Sequence, residues 1–110
     1  MTVGLFFGME DALMVYAEAI TVTSNMTINT ETEDDYYLSG DNRLNVGSQG
    51  KVKGKIFCSG GVVVNEGYVR AVESNFADFY NESGATVDSI RAGYGTVVNK
   101  GDITNLGLAA

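Results

Sequence analysis

Proline, histidine and tryptophan are absent from this 110-residue chain, and cysteine occurs once, as Cys58. Without histidine, and with a single thiol, the usual zinc sites cannot be assembled and an internal disulfide is excluded. A serine nucleophile would lack its commonest base, and neither a nucleophile elbow nor a phosphate loop is present. Paired carboxylates can cleave glycosides, but a short single domain leaves little room for the long groove such enzymes use. The chain therefore reads as something other than an enzyme, with no cofactor and no metal. Long apolar runs are missing too: the opening "MTVGLFFGMED" lacks a positive n-region and is interrupted by Glu10 and Asp11 well short of a membrane span. That reads as a cytoplasmic chain (host cytoplasm if phage-encoded), or as an extracellular one if it is a piece of an exported protein.

With no proline, the turns fall to asparagine and to 14 glycines, residues that tolerate positive φ. Apolar residues make up 45% and charged residues 19%, values of an ordinary folded chain of one domain. Gly50, Gly67, Gly84 and Gly101 stand seventeen residues apart. Rows of that length align Val52, Val69 and Ile103 two places after the glycine, with Thr86 as the exception, and align Val63, Tyr80 and Val97 thirteen places after it. Each row closes on an asparagine-led turn, at Asn65-Glu66, Asn81-Glu82-Ser83 and Asn99-Lys100; "Val46-Gly47-Ser48-Gln49" before Gly50 fits more loosely.

A coil of about seventeen residues holds two or three short strands and their corners. Stacking coils puts like residue above like and buries a continuous column of valine and isoleucine that no coil could bury alone. The expectation is an all-β chain: a parallel β-solenoid of about seventeen-residue coils with an N-terminal cap. An antiparallel β-sandwich with regular turns is the alternative. The stretches "SGGVVVNEG" and "AGYGTVVNKG" resemble the glycine-rich repeats of AIDA-type autotransporter passenger domains, over residues 56 to 105. That resemblance implies a β-solenoid and assigns no catalytic residue.

The charge is uneven. Residues 1 to 42 hold Glu10, Asp11, Glu18, Glu31, Glu33, Asp34, Asp35 and Asp41 with no lysine or arginine, whereas the remainder carries six acids against seven bases. Residues 1–32 read as the cap and first strands, with a short helix or a strand over residues 9–19, and residues 33–110 as the coils. "ETEDDYY" places Glu31, Glu33, Asp34 and Asp35 beside Tyr36 and Tyr37, with Asp41 close behind. Tyrosine offers large contact area and carboxylates steer basic partners, so these seven residues form the candidate partner-binding set. Small acidic proteins of this size and charge resemble phage-encoded anti-defence (anti-CRISPR-like) inhibitors. On that comparison, the acidic third would cover a basic surface of a nucleic-acid-handling complex without touching nucleic acid or membrane. The other reading is a structural repeat of an adhesin, autotransporter passenger or phage fibre. In either case the uncapped "LGLAA" end, with Leu106 and Leu108, suits self-association.

Three smaller features complete the sequence. Lys51, Lys53 and Lys55 alternate along one expected strand and protect a sheet face more readily than they bind phosphates. "DNRLNVG" fails as a calcium loop, because Val52 stands where a bidentate glutamate is needed. Cys58 follows "KIF" as a small buried hydrophobe, and Asn25-Met26-Thr27 and Asn81-Glu82-Ser83 match the glycosylation pattern by chance.

Overall fold

The computed structural model describes residues 17–108, and over that range every regular element is a strand. The twelve strands are β1 (Ala19–Val22), β2 (Met26–Ile28), β3 (Glu31–Thr32), β4 (Asp35–Leu38), β5 (Arg43–Val46), β6 (Lys51–Cys58), β7 (Val62–Asn65), β8 (Tyr68–Ser74), β9 (Ala77–Asn81), β10 (Thr86–Ala92), β11 (Gly95–Asn99) and β12 (Asp102–Leu108). All pairings are parallel, which removes the sandwich alternative. One sheet runs β1-β4-β6-β8-β10-β12, with β3 also on β6, and the other runs β11-β9-β7-β5-β2. Each circuit contributes one rung to each sheet, giving a β-solenoid of about five turns whose equivalent residues lie about 18 apart. Parallel pairing already begins at Ala19, upstream of residue 33, so β1 and β2 belong to the stack. The expected cap, and most of the helix-or-strand segment 9–19, lies outside the described residues.

The core is a set of vertical columns. Tyr36, Ile56, Val72 and Ile90 stack in one, and Leu38, Cys58, Ser74 and Ala92 in the next. From the facing sheet, Leu44, Val63 and Phe79 meet them, all fully buried. Strand β6 shows the period-2 pattern in its plainest form: Val52, Ile56 and Cys58 point inward between outward lysines and Phe57. β-Branched residues dominate because each side chain must lie flat against the identical pleat of the coil above.

The coils are less uniform than the glycine spacing suggests. Gly50, Gly67 and Gly101 share one corner column, but its remaining member is Ala85 and not Gly84: Tyr68 N–H donates to the Gly50 carbonyl, Thr86 N–H to that of Gly67, and Asp102 N–H to that of Ala85. The step from Gly67 to Ala85 is eighteen residues and that from Ala85 to Gly101 sixteen, so the two deviations from seventeen cancel over two turns. With that shift, the exception at Thr86 disappears, because Val52, Val69, Val87 and Ile103 are the true column. Phe79 replaces Tyr80 in the column with Val63 and Val97 because β6 carries one residue more than β8 between Val52 and Lys55, which shortens the step to Phe79 to sixteen. A Cβ on Gly67 would strike the carbonyl oxygens of Gly50 and Gly47, so the coils can close up only around glycine here. Gly84 has φ +83° and open space around its Cα, so it serves the turn and not the stack.

The asparagine corners have an interior role as well. Asn65 and Asn81 are fully buried, and a carboxamide ladder links them: Asn65 Nδ2 donates to Asn81 Oδ1 at 2.9 Å, and Asn81 Nδ2 to Asn99 Oδ1 at 2.9 Å. Asn65 and Asn99 also accept the N–H of Gly67 and Gly101, so these two close their own corners, whereas Asn81 Nδ2 lies 3.4 Å from the Ala85 carbonyl. Burial excludes Asn81 as a glycosylation acceptor.

Candidate functional site

Four of the five acidic residues singled out in sequence, Glu31, Glu33, Asp34 and Asp35, are engaged by contacts with neighbouring coils. Glu31 and Glu33 lie 2.8 and 3.7 Å from Lys53 Nζ. The ammonium, by hydrogen bond and charge, holds the Glu31 carboxyl below its ordinary pKa, and Glu31 in return raises that of Lys53. Asp34 accepts the N–H of Glu18 at 3.0 Å. Asp35 accepts the N–H of Lys55 at 2.8 Å, beside the irregularity where β6 gains a residue on β8 between Val52 and Lys55. Tyr36 is 3% exposed and points into the core, its hydroxyl 3.3 Å from Thr32 Oγ1, so it offers no outer contact area. Asp41 is exposed in a turn, and Tyr37 points outward.

Of the three lysines of β6, Lys53 reaches the acids of the preceding coil, and Lys51 stands beside Glu31 in backbone register. Lys55 pairs with Glu73 of the following coil, and Lys51 sits 5.6 Å above the Tyr68 ring. Glu31 and Glu33 thus share one lysine of the next coil, while Asp34 and Asp35 are held by backbone N–H groups and the excess of acid in this part of the chain remains. At the far end, Leu106 extends the column of Ile90 but is 55% exposed, and Leu108 pairs through its backbone with Ala92.

What the fold assembles instead is a trough on the outside of the β4-β6-β8-β10 sheet. Thr21, Tyr37, Phe57, Glu73 and Arg91 are stacked in register, one per coil, and form one wall. The turns leaving these strands form the other, with Ser39, Ser59, Asn75 and Tyr94 at its rim, and the enclosed volume is about 580 Å³. The Tyr37 and Phe57 rings are parallel to within 3°, with centroids 4.7 Å apart, which is the rung spacing of parallel strands. Lys55 Nζ lies 5.0 Å from the Phe57 centroid and bridges to Glu73. On the turns, Phe76 and Tyr94 form a second stack at 5.1 Å, exposed by 64% and 65%. Phe76 has φ +56°, the left-handed region, and donates its N–H to the Tyr94 carbonyl.

The trough had no signature in the sequence. Phe57, Glu73 and Arg91 follow Tyr37 at steps of twenty, sixteen and eighteen residues, so no fixed period collects them. Only Tyr37 belongs both to the sequence candidates and to the trough. Among the described residues no group of His, Cys, Asp and Glu is placed to hold a metal ion. No family model, curated protein or solved structure matches this chain.

Proposed function

We propose that this chain is a structural interaction module, a length of rigid solenoid of the kind used as a repeat segment in adhesins and fibres, extended by stacking a further coil on its last described one. The observation that carries this reading is the open end. Among the described residues, strands β11 and β12 each have a neighbour on one side only, and Val97, Ile103 and Leu106 stand in core columns without being fully buried. An unpaired parallel edge above a half-covered apolar layer is a template for another strand. A second copy of the chain supplies that strand in the isolated protein. The other reading, an inhibitor that covers a basic surface with acids 31–35, has less support, because Glu31, Glu33, Asp34 and Asp35 are engaged by the adjoining coils.

The test is the concentration dependence of mass in solution. The chain is expected to self-associate at micromolar concentration, and Leu106→Lys to abolish this while leaving the β-sheet spectrum intact. A strictly monomeric mass at every concentration would overturn the stacking proposal.

A further inference from the structure

We infer that two copies of this chain join last coil to last coil, about a two-fold axis perpendicular to the solenoid axis, so that stacking of the isolated protein stops at a dimer. The inference rests on the stacking role proposed above and names the surface of the second copy that takes part. Two copies can meet first coil to first, first to last, or last to last. Charge, exposure and the asparagine ladder each bear on the choice.

Charge opposes the first arrangement. Residues 17–42, which begin the stack, hold Glu18, Glu31, Glu33, Asp34, Asp35 and Asp41 without a lysine or arginine, so first coils brought together set acid against acid. The last coil carries one charge of each sign, Lys100 and Asp102, and meets a copy of itself without net repulsion.

Exposure separates the two ends. Val22 and Ile28, on the first rungs, are only 3% and 5% exposed, although β1 and β2 each have a single neighbouring strand among the described residues. Ile20 and Leu106 are the first and last members of one core column; Ile20 is half-buried, whereas Leu106 is 55% exposed. The apolar surface that gains from a partner therefore lies at the last coil. Contact between last coils covers two such layers at once, and contact with a first coil covers one.

The ladder distinguishes the partners by hydrogen bonding. Its column reads Ile28, Val46, Asn65, Asn81 and Asn99 from the first coil to the last. Each inner asparagine gives its side-chain amide to the carboxamide one coil further on, and Asn99 receives without an acceptor for its own Nδ2 among the described residues. A first coil stacked in register sets Ile28 over Asn99 and buries that amide with no side-chain acceptor above it. A second last coil brings another carboxamide, its own Asn99, to the seam. Such a contact is isologous and closes on itself, whereas a first-to-last contact repeats without end into a filament.

The experiment combines mass with distance on the intact chain. In sedimentation equilibrium the mass is expected to rise with concentration and level at two chains. Spin labels are then placed singly at Ser24→Cys, exposed near the first rung, and at Asn105→Cys, exposed on the last, both with Cys58→Ala. Five rung steps separate β1 from β12, about 24 Å at the usual strand spacing. Dipolar spectroscopy is expected to place the Ser24 labels of a dimer more than about 45 Å apart and the Asn105 labels much closer. Leu106→Lys is expected to weaken association at least about tenfold and to remove both signals at the same concentration. Growth of mass beyond two chains, or the same distance of about 30 Å at both positions, would overturn this inference and leave the stacking role standing. A monomer at every concentration would overturn both.

Discussion

Asn65 donates its side-chain amide to the Asn81 carboxamide across 2.9 Å of fully buried space, and Asn81 repeats the gesture to Asn99. Asn81 Nδ2 also lies 3.2 Å from the Asp102 carbonyl, so one side chain joins three coils. A buried donor costs little when paired and a great deal when abandoned. Asn81→Ala is therefore expected to lower stability by about 3 kcal/mol in urea denaturation. Asn81→Asp is expected to cost more, since it sets a buried carboxylate against the Asn99 and Asp102 oxygens. Equal stability of Asn81→Ala and the parent would show that the ladder is incidental.

The two kinds of corner glycine should respond differently. Gly67→Ala drives a methyl into the Gly50 and Gly47 carbonyls and is expected to cost at least about 2 kcal/mol. Gly84→Asn meets nothing within contact distance at φ +83°, a region asparagine enters readily, and should cost below about 1 kcal/mol. Thermal melts of the pair decide whether Gly84 lies in the stack or only in the turn.

Asp35 separates a structural role from a steering one. Its carboxylate accepts the Lys55 N–H at 2.8 Å. An amide oxygen can do the same, so Asp35→Asn should retain parental stability while Asp35→Ala loses about 1 kcal/mol. If Asp35→Ala is as stable as Asp35→Asn, the side chain does not support the β6 irregularity.

Cys58 gives a pH signature. Burial pushes its thiol from an ordinary 9.0 up to about 12, because the thiolate would be stranded in the core. The folded state therefore holds this proton more tightly than the unfolded state. The resulting stabilisation is full below pH 9.0 and is lost as pH rises toward about 12. Alkylation at mildly alkaline pH should label Cys58 only in denaturant. Cys58→Ala, which copies Ala92 two coils along the same column, should flatten the alkaline decline. Rapid labelling of the native protein would contradict this burial.

The chain's own residues fixed the kind of fold. Alternation along "KVKGKIFC", valine-rich strands and asparagine-glycine corners are local features, and each makes a flat rung that only a neighbouring rung can cover. What remained illegible was the step from one rung to the next. That step varies between sixteen and twenty residues because the corners at Gly47–Gly50 and Glu82–Ala85 and the irregularity between Val52 and Lys55 each add length in a different place. A shift of one residue exchanges inward and outward faces, so the placement of Phe79 and Tyr80 could not follow from a constant period. The same steps decide which side chains meet. They set Glu31 and Glu33 on Lys53, and they align Tyr37, Phe57, Glu73 and Arg91 into a wall. Sequence by itself determined that coils would stack, since burial and turn chemistry are local. The tertiary structure alone decided the register between coils, and with it the site, since register is set by non-local pairing.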